Sequence, residues 1–527
     1  MRGRTRAIVT TSLASIIART ASLASQVIAG TLLTSDQFGA YAISLGVIGV
    51  TGVMRTGGFS LFAFSIGGLE YRARIRDAYR WGLVAATVGS ALTFALLLLT
   101  PILRDYYAAL GDPAVVQCLY VLMFAQATQP FAILARGNLA AQHRFTILAK
   151  IDTVISVSRV LLTLLLGLLG GGALALAVPY AAAFGLQLIL CSKAGGLGLR
   201  DYWPSGGSLR RATRVMWWPL AASVLITLHG ESSFFVFSWF VPTSVMGGFY
   251  FAYQLSNQPG MMLAGSLQSV LAPLIVTVRG DRDAERSEIL ALLRLSLLLV
   301  PLLTMAVATA FPPLERLVWS GKWAYLSTPV FVLAIGMSFA TVSQLMAGPL
   351  IGLQRFKAFA AFELVRSAAC LGGAIIGGSL AAMAYDTHQL LLVSSGVSVA
   401  LACTGILQLL WVTQRFGIAL QDVIVSICLG PGLGIGVSTL FEFAWPGAAA
   451  FVNLDAPMTA LFSVLDLVLV ATVYTATLVV MLRFAAPRIA VLLAARAPNA
   501  LRPLLLTVLV GHRLTSTPDA GGRGDNI

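Results

Sequence analysis

The chain has 527 residues, of which 58% are hydrophobic and 11% are charged, and its mean hydropathy is +0.86. A water-soluble protein has roughly a quarter of its residues charged, so this composition excludes a soluble enzyme or a set of soluble domains. The formal net charge of +14 would suit a nucleic-acid-binding protein, but the basic residues cluster between apolar stretches. That distribution is typical of membrane topology, and no nucleic-acid partner is predicted.

Long apolar stretches recur along the whole chain, and each is long enough to be a membrane helix. A spanning helix needs about 20 apolar residues, because each residue rises about 1.5 Å through a hydrocarbon core of about 30 Å. The pattern predicts an all-α polytopic membrane protein with about fourteen transmembrane helices. The predicted spans are 10–33, 38–68, 81–101, 115–135, 147–168, 173–192, 215–240, 246–278, 289–311, 327–349, 357–380, 389–412, 422–444 and 458–482. Spans 38–68 and 246–278 exceed the bilayer thickness, which predicts tilt or projection beyond it.

The basic residues predict the orientation of the chain. With a cytoplasmic N-terminus, the connections on the cytoplasmic side contain most of the arginines and lysines, whereas the predicted outside loops contain only Arg104, Arg316 and Lys322. Positively charged connections are retained on the cytoplasmic side of bacterial membrane proteins. We therefore expect a multi-pass protein of the bacterial inner membrane with both termini in the cytoplasm.

The five cysteines and the two chain ends add little chemistry. The cysteines are scattered through apolar spans without a CxxC motif, so they are interpreted as small buried side chains, and neither a metal site nor a cofactor is predicted. Arg19 interrupts the first apolar run, which favours a retained first helix over a cleaved signal peptide. Residues 484–527 form a basic cytoplasmic tail, interpreted as an interfacial segment with disorder as the alternative.

Short motifs recur in the same order about 210 residues apart, which indicates an internal repeat. Thr34-Ser35 followed by Gly39 and Tyr41 returns as Thr243-Ser244 followed by Gly248 and Tyr250. A second motif, Gly-x-Leu followed four residues later by Arg-Phe, occurs at 137–145 and again at 348–356. A six-helix unit crosses the membrane an even number of times, so its copy has the same orientation and the repeats are parallel. The predicted divisions are 1–209 and 210–420 for the two six-helix bundles, 421–483 for two additional helices, and 484–527 for the tail.

Residues 32–42 read Leu-Leu-Thr-Ser-Asp-Gln-Phe-Gly-Ala-Tyr-Ala, and they resemble the segment that closes the first helix in polysaccharide flippases of the O-antigen type. Residues 247–252 and 136–145 resemble two further connections of that family. This family belongs to the multidrug/oligosaccharidyl-lipid/polysaccharide exporter superfamily, and the resemblance covers most of residues 8–415. It implies two six-helix bundles around a V-shaped central cavity. It also implies transport of a polyprenyl-pyrophosphate-linked oligosaccharide from the cytoplasmic to the periplasmic leaflet.

Charged residues inside the predicted spans are the candidate substrate contacts, because a charge at mid-bilayer is costly and usually faces a cavity or a partner. Arg19, Arg55 and Arg159 all lie in the first half, and a guanidinium can contact two phosphate oxygens at once. We expect these arginines to line the substrate path. Arg55 could alternatively extend toward the cytoplasm, and Arg159 could pair with Asp152 or Glu231.

Other charged residues within the spans have several interpretations. Glu231 is a fourth candidate substrate-binding residue: it could bind a coupling ion, neutralise an arginine or contact a sugar. His229 is interpreted as a satisfied polar residue. Glu363 and Arg366 are three positions apart on one helix and are predicted to form a structural ion pair.

Several function classes are compatible with a polytopic membrane protein. The leading prediction is a flippase for a lipid-linked oligosaccharide in surface polysaccharide biosynthesis, with membrane lipids and glycan-assembly proteins as partners. The alternatives are a cation-coupled exporter of small molecules, a peptidoglycan-precursor flippase, and a membrane polymerase or ligase of glycans. The predicted outside loops are short, and no HExxH, GxSxG or phosphate-binding loop motif occurs in them, so an enzyme is not predicted.

Overall fold

A computed structural model describes residues 20–55, 68–142, 144–198, 209–277, 281–353, 355–444 and 456–484. Within this part the chain forms fourteen helices, numbered α1 to α14, and each matches one predicted span. Helices α1 to α7 are 20–32, Ser35–Thr51, Gly68–Leu103, Pro113–Ala141, Phe145–Leu168, Leu174–Gly195, and Leu209–Gly230 continued as Ser232–Phe237. Helices α8 to α12 are Thr243–Thr277, Arg282–Trp319, Ser327–Gly352, Phe356–Ala382 and Asp386–Arg415. Helix α13 consists of Leu420–Ile427, Cys428–Gly432 and Leu433–Ala444, and α14 is Ala456–Phe484.

Eleven helices in the described part are long and apolar enough to cross a membrane. The prediction of an all-α, multi-pass membrane protein is therefore confirmed. The helices begin where the sequence supplies caps. Thr34 and Gln37 form a reciprocal capping box at the start of α2, and Asp112 caps α4 with Pro113 at its first position. Both devices satisfy amide groups that the first helical turn leaves without partners.

Three predicted spans are interrupted within the residues that the structure describes. The span predicted at 38–68 is not continuous: α2 ends at Thr51, Gly52 closes it by donating to Ile48, and residues 52–55 form a turn. Glycine tolerates this change of direction, and the apolar run alone did not reveal it. Helix α7 breaks at Glu231. Helix α13 contains a π-helical turn at Cys428–Gly432, which includes Pro431; proline removes a helical donor and favours such a break.

The two predicted halves pack through α2 and α8. A Cβ atom placed on Gly39 would lie 1.9 Å from the carbonyl oxygen of Thr243, and one placed on Gly247 would lie 1.7 Å from that of Ser35. The two backbones therefore approach more closely than any residue with a side chain would allow, as is common where membrane helices meet at small residues. The two contacts are reciprocal, because the start of each helix lies against a glycine of the other.

Equivalent hydrogen bonds occur in the two halves. In the first, the Ser44 hydroxyl lies 2.7 Å from the Ala40 carbonyl and 3.1 Å from that of Val115 on α4. In the second, the Ser256 hydroxyl lies 2.9 Å from the Ala252 carbonyl and 3.1 Å from that of Val330 on α10. The same helix pair is thus joined in the same way in each half. This pattern is consistent with two parallel repeats, and the division at 209/210 stays a prediction.

Helices α13 and α14 both pack on α9. The Thr309 hydroxyl of α9 lies 2.7 Å from that of Ser438 on α13 and 3.1 Å from the Tyr474 phenol on α14. Ser438 and Tyr474 are themselves 2.5 Å apart. Inside apolar surroundings, such a closed set of hydroxyl contacts fixes three helices in one register. The last two helices are therefore attached to the second half at one point of shared polar contact.

Candidate functional site

Polar side chains from both halves meet where α1, α2, α5 and α8 come together. Tyr41 of α2 and Tyr250 of α8 are buried, with ring centroids 5.5 Å apart and planes at 84°. The guanidinium of Arg159 on α5 is close enough to both phenols to interact with them electrostatically. Gln26 of α1 and Gln254 of α8 lie beside Tyr250. This cluster places one positive charge among neutral polar groups between the two halves.

Arg159 has no carboxylate partner among the described residues. The two acids predicted as its alternatives are both engaged elsewhere: Asp152 binds Arg136 through two parallel contacts, of which Nη2 to Oδ2 is 2.8 Å, and Glu231 binds Arg55. Arg159 itself is partly buried. Its charge is therefore not neutralised by a carboxylate in the described part of the chain, and a guanidinium inside an apolar slab is most stable beside a negative partner.

Arg55 forms an ion pair that crosses between the halves. Arg55 lies in the turn after α2 and is 1% exposed, and its Nη2 contacts Oε2 of Glu231. The Arg55 Nη1 group donates to the Ile48 carbonyl at 2.6 Å. Glu231 sits at the break in α7 and its side chain keeps 29% exposure. Arg55 also interacts electrostatically with Tyr180 and Tyr41, which links the pair to the surroundings of Arg159.

A second buried polar network lies in the second half. Nη1 of Arg366 is 3.2 Å from Oε1 of Glu363, and its Nη2 is 2.6 Å from Oε1 of Gln408. Nδ1 of His229 is 3.7 Å from Oε2 of Glu363 and 3.1 Å from the Leu225 carbonyl. The predicted Glu363–Arg366 pair is present, and it joins α7, α11 and α12. Since Glu363 and Arg366 are 1% and 2% exposed, we interpret this network as a structural one.

The four site residues predicted from the sequence do not form one cluster in the described part of the structure. Arg19 lies outside the described residues. Arg159 faces the junction of the halves, whereas Arg55 and Glu231 are paired with each other close to it. Tyr41, Tyr250, Gln26 and Gln254 were not predicted as site residues. Tyr41 and Tyr250 were visible in the sequence as matching positions of the internal repeat, but the contact between them depends on how the halves dock.

The halves are also joined at the end of the molecule where α1 ends. Lys322 Nζ donates to the carbonyls of Gly30 at 2.9 Å and Leu33 at 2.6 Å. The indole groups donate as well, Trp323 Nε1 to Gly30 at 2.9 Å and Trp319 Nε1 to Val27 at 3.2 Å. We call this set of contacts the outer clamp. The last carbonyls of a helix lack internal donors, so a lysine and two indoles are suitable partners. Partial burial lowers the pKa of Lys322.

A further contact between the halves lies in the loops at the same end. The Tyr107 phenol, between α3 and α4, hydrogen-bonds to Ser238, between α7 and α8. The Tyr107 ring stacks on Trp239 with centroids 4.8 Å apart. Burial raises the pKa of Tyr107 to about 12, an effect that the hydrogen bond to Ser238 opposes in part. The phenol therefore stays neutral over the physiological range, and the contact is independent of pH there.

Comparisons with known proteins agree with this architecture. Residues 28–328 match the family described as Polysaccharide biosynthesis protein. The chain belongs to this family. No curated protein matches the sequence significantly. The matched residues make up more than half of the chain, and they include α2, the helix that carries Arg159 and the three donor residues of the outer clamp.

Solved structures of low sequence identity share the fold. The structure of the lipid II flippase MurJ in an inward closed conformation has a TM-score of 0.60 at 12% identity, and the match covers 89% of this chain and 100% of that one. An inward-facing multidrug resistance MATE family transporter of the MOP superfamily has a TM-score of 0.57 at 14% identity, with 78% and 98% covered. A MOP superfamily transporter from Pyrococcus furiosus has a TM-score of 0.54 at 16% identity, with 78% and 96% covered. The protein is thus a multi-pass membrane protein with the fold of MOP superfamily transporters.

Proposed function

We propose that this protein moves a polyprenyl-pyrophosphate-linked oligosaccharide from the cytoplasmic to the periplasmic leaflet of the bacterial inner membrane, for surface polysaccharide biosynthesis. The observation that carries the proposal is Arg159, a guanidinium without a carboxylate partner in the described part of the chain, held at the junction of the two halves. Membership of the polysaccharide biosynthesis family and the transporter fold support the same function.

The chemistry of the head group fits an arginine in this position. A pyrophosphate carries negative charge that must cross the apolar part of the bilayer, and a nearby positive charge lowers that cost. Arginine contacts two phosphate oxygens in one plane, which a lysine ammonium does not do. The neutral phenols of Tyr41 and Tyr250 add hydrogen-bond donors without adding a competing negative charge.

The remaining predicted contacts take more specific roles in the proposal. Glu231 acts as the counter-ion of Arg55, so Arg55 contacts phosphate only when Glu231 releases it. This exchange would let an incoming anion separate two groups that connect the halves. Arg19 is proposed as a phosphate contact nearer the N-terminus.

The proposed topology is compatible with the proposed direction of transport. The positively charged connections support cytoplasmic N- and C-termini, and with that orientation the outer clamp lies at the periplasmic end. With the halves joined at that end, cargo enters from the opposite end and leaves after the clamp separates. Glycan polymerase or assembly proteins on the periplasmic side are the proposed partners.

The test is a complementation experiment in a bacterium that lacks its own copy of the gene. We expect Arg159→Ala to abolish surface glycan and to leave lipid-linked oligosaccharide in the cytoplasmic leaflet, while the amount of protein in the membrane is unchanged. Arg159→Lys should restore part of the export, because it keeps the charge and loses the second phosphate contact.

Arg104→Ala is the matched control. Arg104 is exposed in a loop and lies 3.9 Å from its neighbour Asp105, so its loss should leave export normal. Normal surface glycan in the Arg159→Ala strain would contradict the proposed role of Arg159. If the Arg159→Ala strain loses surface glycan but does not accumulate lipid-linked oligosaccharide in the cytoplasmic leaflet, the protein acts at a step other than transport.

A further inference from the structure

Three helices present pairs of polar residues one turn apart at the junction of the halves. Residues four apart lie on the same face of a helix, so each pair forms a short polar stripe on an otherwise apolar surface. The three stripes lie on α1, α5 and α8, and they consist of Ser22 with Gln26, Arg159 with Thr163, and Gln254 with Gln258.

Direct contacts show that these stripes face one another. The Ser25 hydroxyl, next to Gln26 on α1, donates to Thr163 on α5 at 3.0 Å. The Gln258 Nε2 group donates to the Ser22 hydroxyl at 3.4 Å. Tyr250, one turn before Gln254 on α8, lies beside both Gln254 and Gln26. The amides from both halves therefore lie together at the junction, with Arg159 near the same tyrosine.

Two of these amides have an unused acceptor. Gln26 Oε1 and Gln258 Oε1 are buried and have no hydrogen-bond donor among the described residues, and each side chain is only 7% exposed. A buried carbonyl without a donor is costly, and most buried polar groups in proteins are satisfied. Unpartnered amide atoms also occur away from the junction, at Gln126 Nε2 and Gln129 Oε1 in the core of the first half. Gln26 and Gln258 differ from them in position, because they lie where the two halves meet, beside Tyr250 and Ser22. A ligand that enters between the halves would therefore reach them and supply the missing donors.

The neighbouring charge restricts what that ligand can be. Arg159 disfavours a metal cation in the same space, because two positive charges would share one apolar region. A phosphate alone is also a poor match for the Oε1 atoms of Gln26 and Gln258, since phosphate oxygens are acceptors too. A sugar has hydroxyl donors and is neutral, and a sugar next to a phosphate would present donors to the amides and negative charge to Arg159.

We propose that Gln26, Gln254 and Gln258 form a subsite for the sugar nearest the pyrophosphate, in which Gln26 and Gln258 accept hydrogen bonds from its hydroxyl groups. This inference rests on the proposed function and adds a contact for the glycan to the phosphate contact of Arg159. The subsite is built from α1 of the first half and α8 of the second. A bound sugar therefore contacts both halves at once, so it is sensitive to their relative position.

The experiment uses short-chain probes and the purified full-length protein in detergent. The probes are geranyl pyrophosphate and geranyl pyrophosphate linked to glucose, galactose or N-acetylglucosamine, and binding is measured by calorimetry. The wild-type protein should bind at least one sugar conjugate more tightly than geranyl pyrophosphate. Gln26→Leu and Gln258→Leu should each reduce that preference by about fivefold to tenfold, the effect of one hydrogen bond. These two variants should leave the affinity for geranyl pyrophosphate unchanged. Arg159→Ala should instead lower the affinity for geranyl pyrophosphate and for its sugar conjugates.

Gln389→Leu is the matched control, because Gln389 is also buried with an unpartnered Oε1 among the described residues but belongs to α12. It should leave the preference intact. Each leucine variant removes an unsatisfied acceptor, but Gln258→Leu also loses the contact with Ser22 and Gln26→Leu the contact with Tyr250. Folding of both variants is therefore checked by thermal unfolding, and Gln26→Met and Gln258→Met serve if either does not fold.

The outcomes separate the two proposals. Equal wild-type affinity for bare and sugar-linked probes, or a preference that survives both site variants, would overturn the sugar subsite alone. A wild-type protein that binds no probe would overturn the subsite together with the proposed function.

Discussion

The ion pair between Arg55 and Glu231 predicts an asymmetric effect on stability. Arg55 is 1% exposed and Glu231 is 29% exposed, so the two substitutions leave different groups behind. Glu231→Leu leaves a buried guanidinium with the Ile48 carbonyl as its remaining acceptor. Removing one partner of a buried pair typically costs about 3–5 kcal/mol, because the other charge stays buried and uncompensated.

Arg55→Met should be less harmful. It replaces the buried charge with an apolar side chain of similar length, and the carboxylate of Glu231 keeps access to water. We expect a loss of about 1–2 kcal/mol, the cost of a hydrogen bond to a charged group that solvent can partly replace. The double variant Arg55→Met/Glu231→Leu should be about as stable as Arg55→Met alone, since no charge is then left buried.

The measurement is unfolding of the purified protein in dodecyl maltoside with increasing sodium dodecyl sulfate, followed by tryptophan fluorescence. Arg104→Met is the control, because Arg104 is 63% exposed and its replacement should change stability by less than about 0.5 kcal/mol. Equal losses for both single variants, or a larger loss for Arg55→Met, would refute the assignment of Arg55 as the buried partner.

Two further predictions concern packing and topology. Gly39→Leu should prevent the close approach of α2 to Thr243 and abolish export. Gly348→Ala should be tolerated, because a Cβ atom there meets no atom within 4 Å. Normal export with Gly39→Leu would contradict the packing of the halves. In a background with the native cysteines replaced, Arg104→Cys should react with an impermeant thiol reagent from the periplasm and Lys193→Cys only after the membrane is opened. The reverse labelling pattern would overturn the orientation.

The helices were predictable because each apolar stretch is long enough to cross a bilayer, and length and apolarity are local properties. The charge pairing at the break in α7 was not. Glu231 lies between His229-Gly230 and Ser232-Ser233, and its partner Arg55 is 176 positions away. Pairing of charges across the chain is set by tertiary packing, which a hydropathy pattern does not contain.

The candidate site was predicted only in part for the same reason. Arg159 stood out as a charge inside an apolar span, but the sequence left Asp152 and Glu231 open as its partners. The structure assigns those acids to Arg136 and Arg55. Gln26 and Gln258 gave no signal, because a single amide in a membrane helix is common. Their importance depends on the meeting of α1 and α8, which lie in different halves.

The outer clamp also determines how easily that end of the molecule could separate. Its acceptors are main-chain oxygens at the end of α1, and its donors are one ammonium and two indole groups. When such contacts part at a membrane surface, water can take the place of either side, so neither half is left with a stranded charge. Packing of the two surfaces therefore contributes most to the stability of the outer clamp. Ionic strength should have little influence on its separation, because no carboxylate takes part.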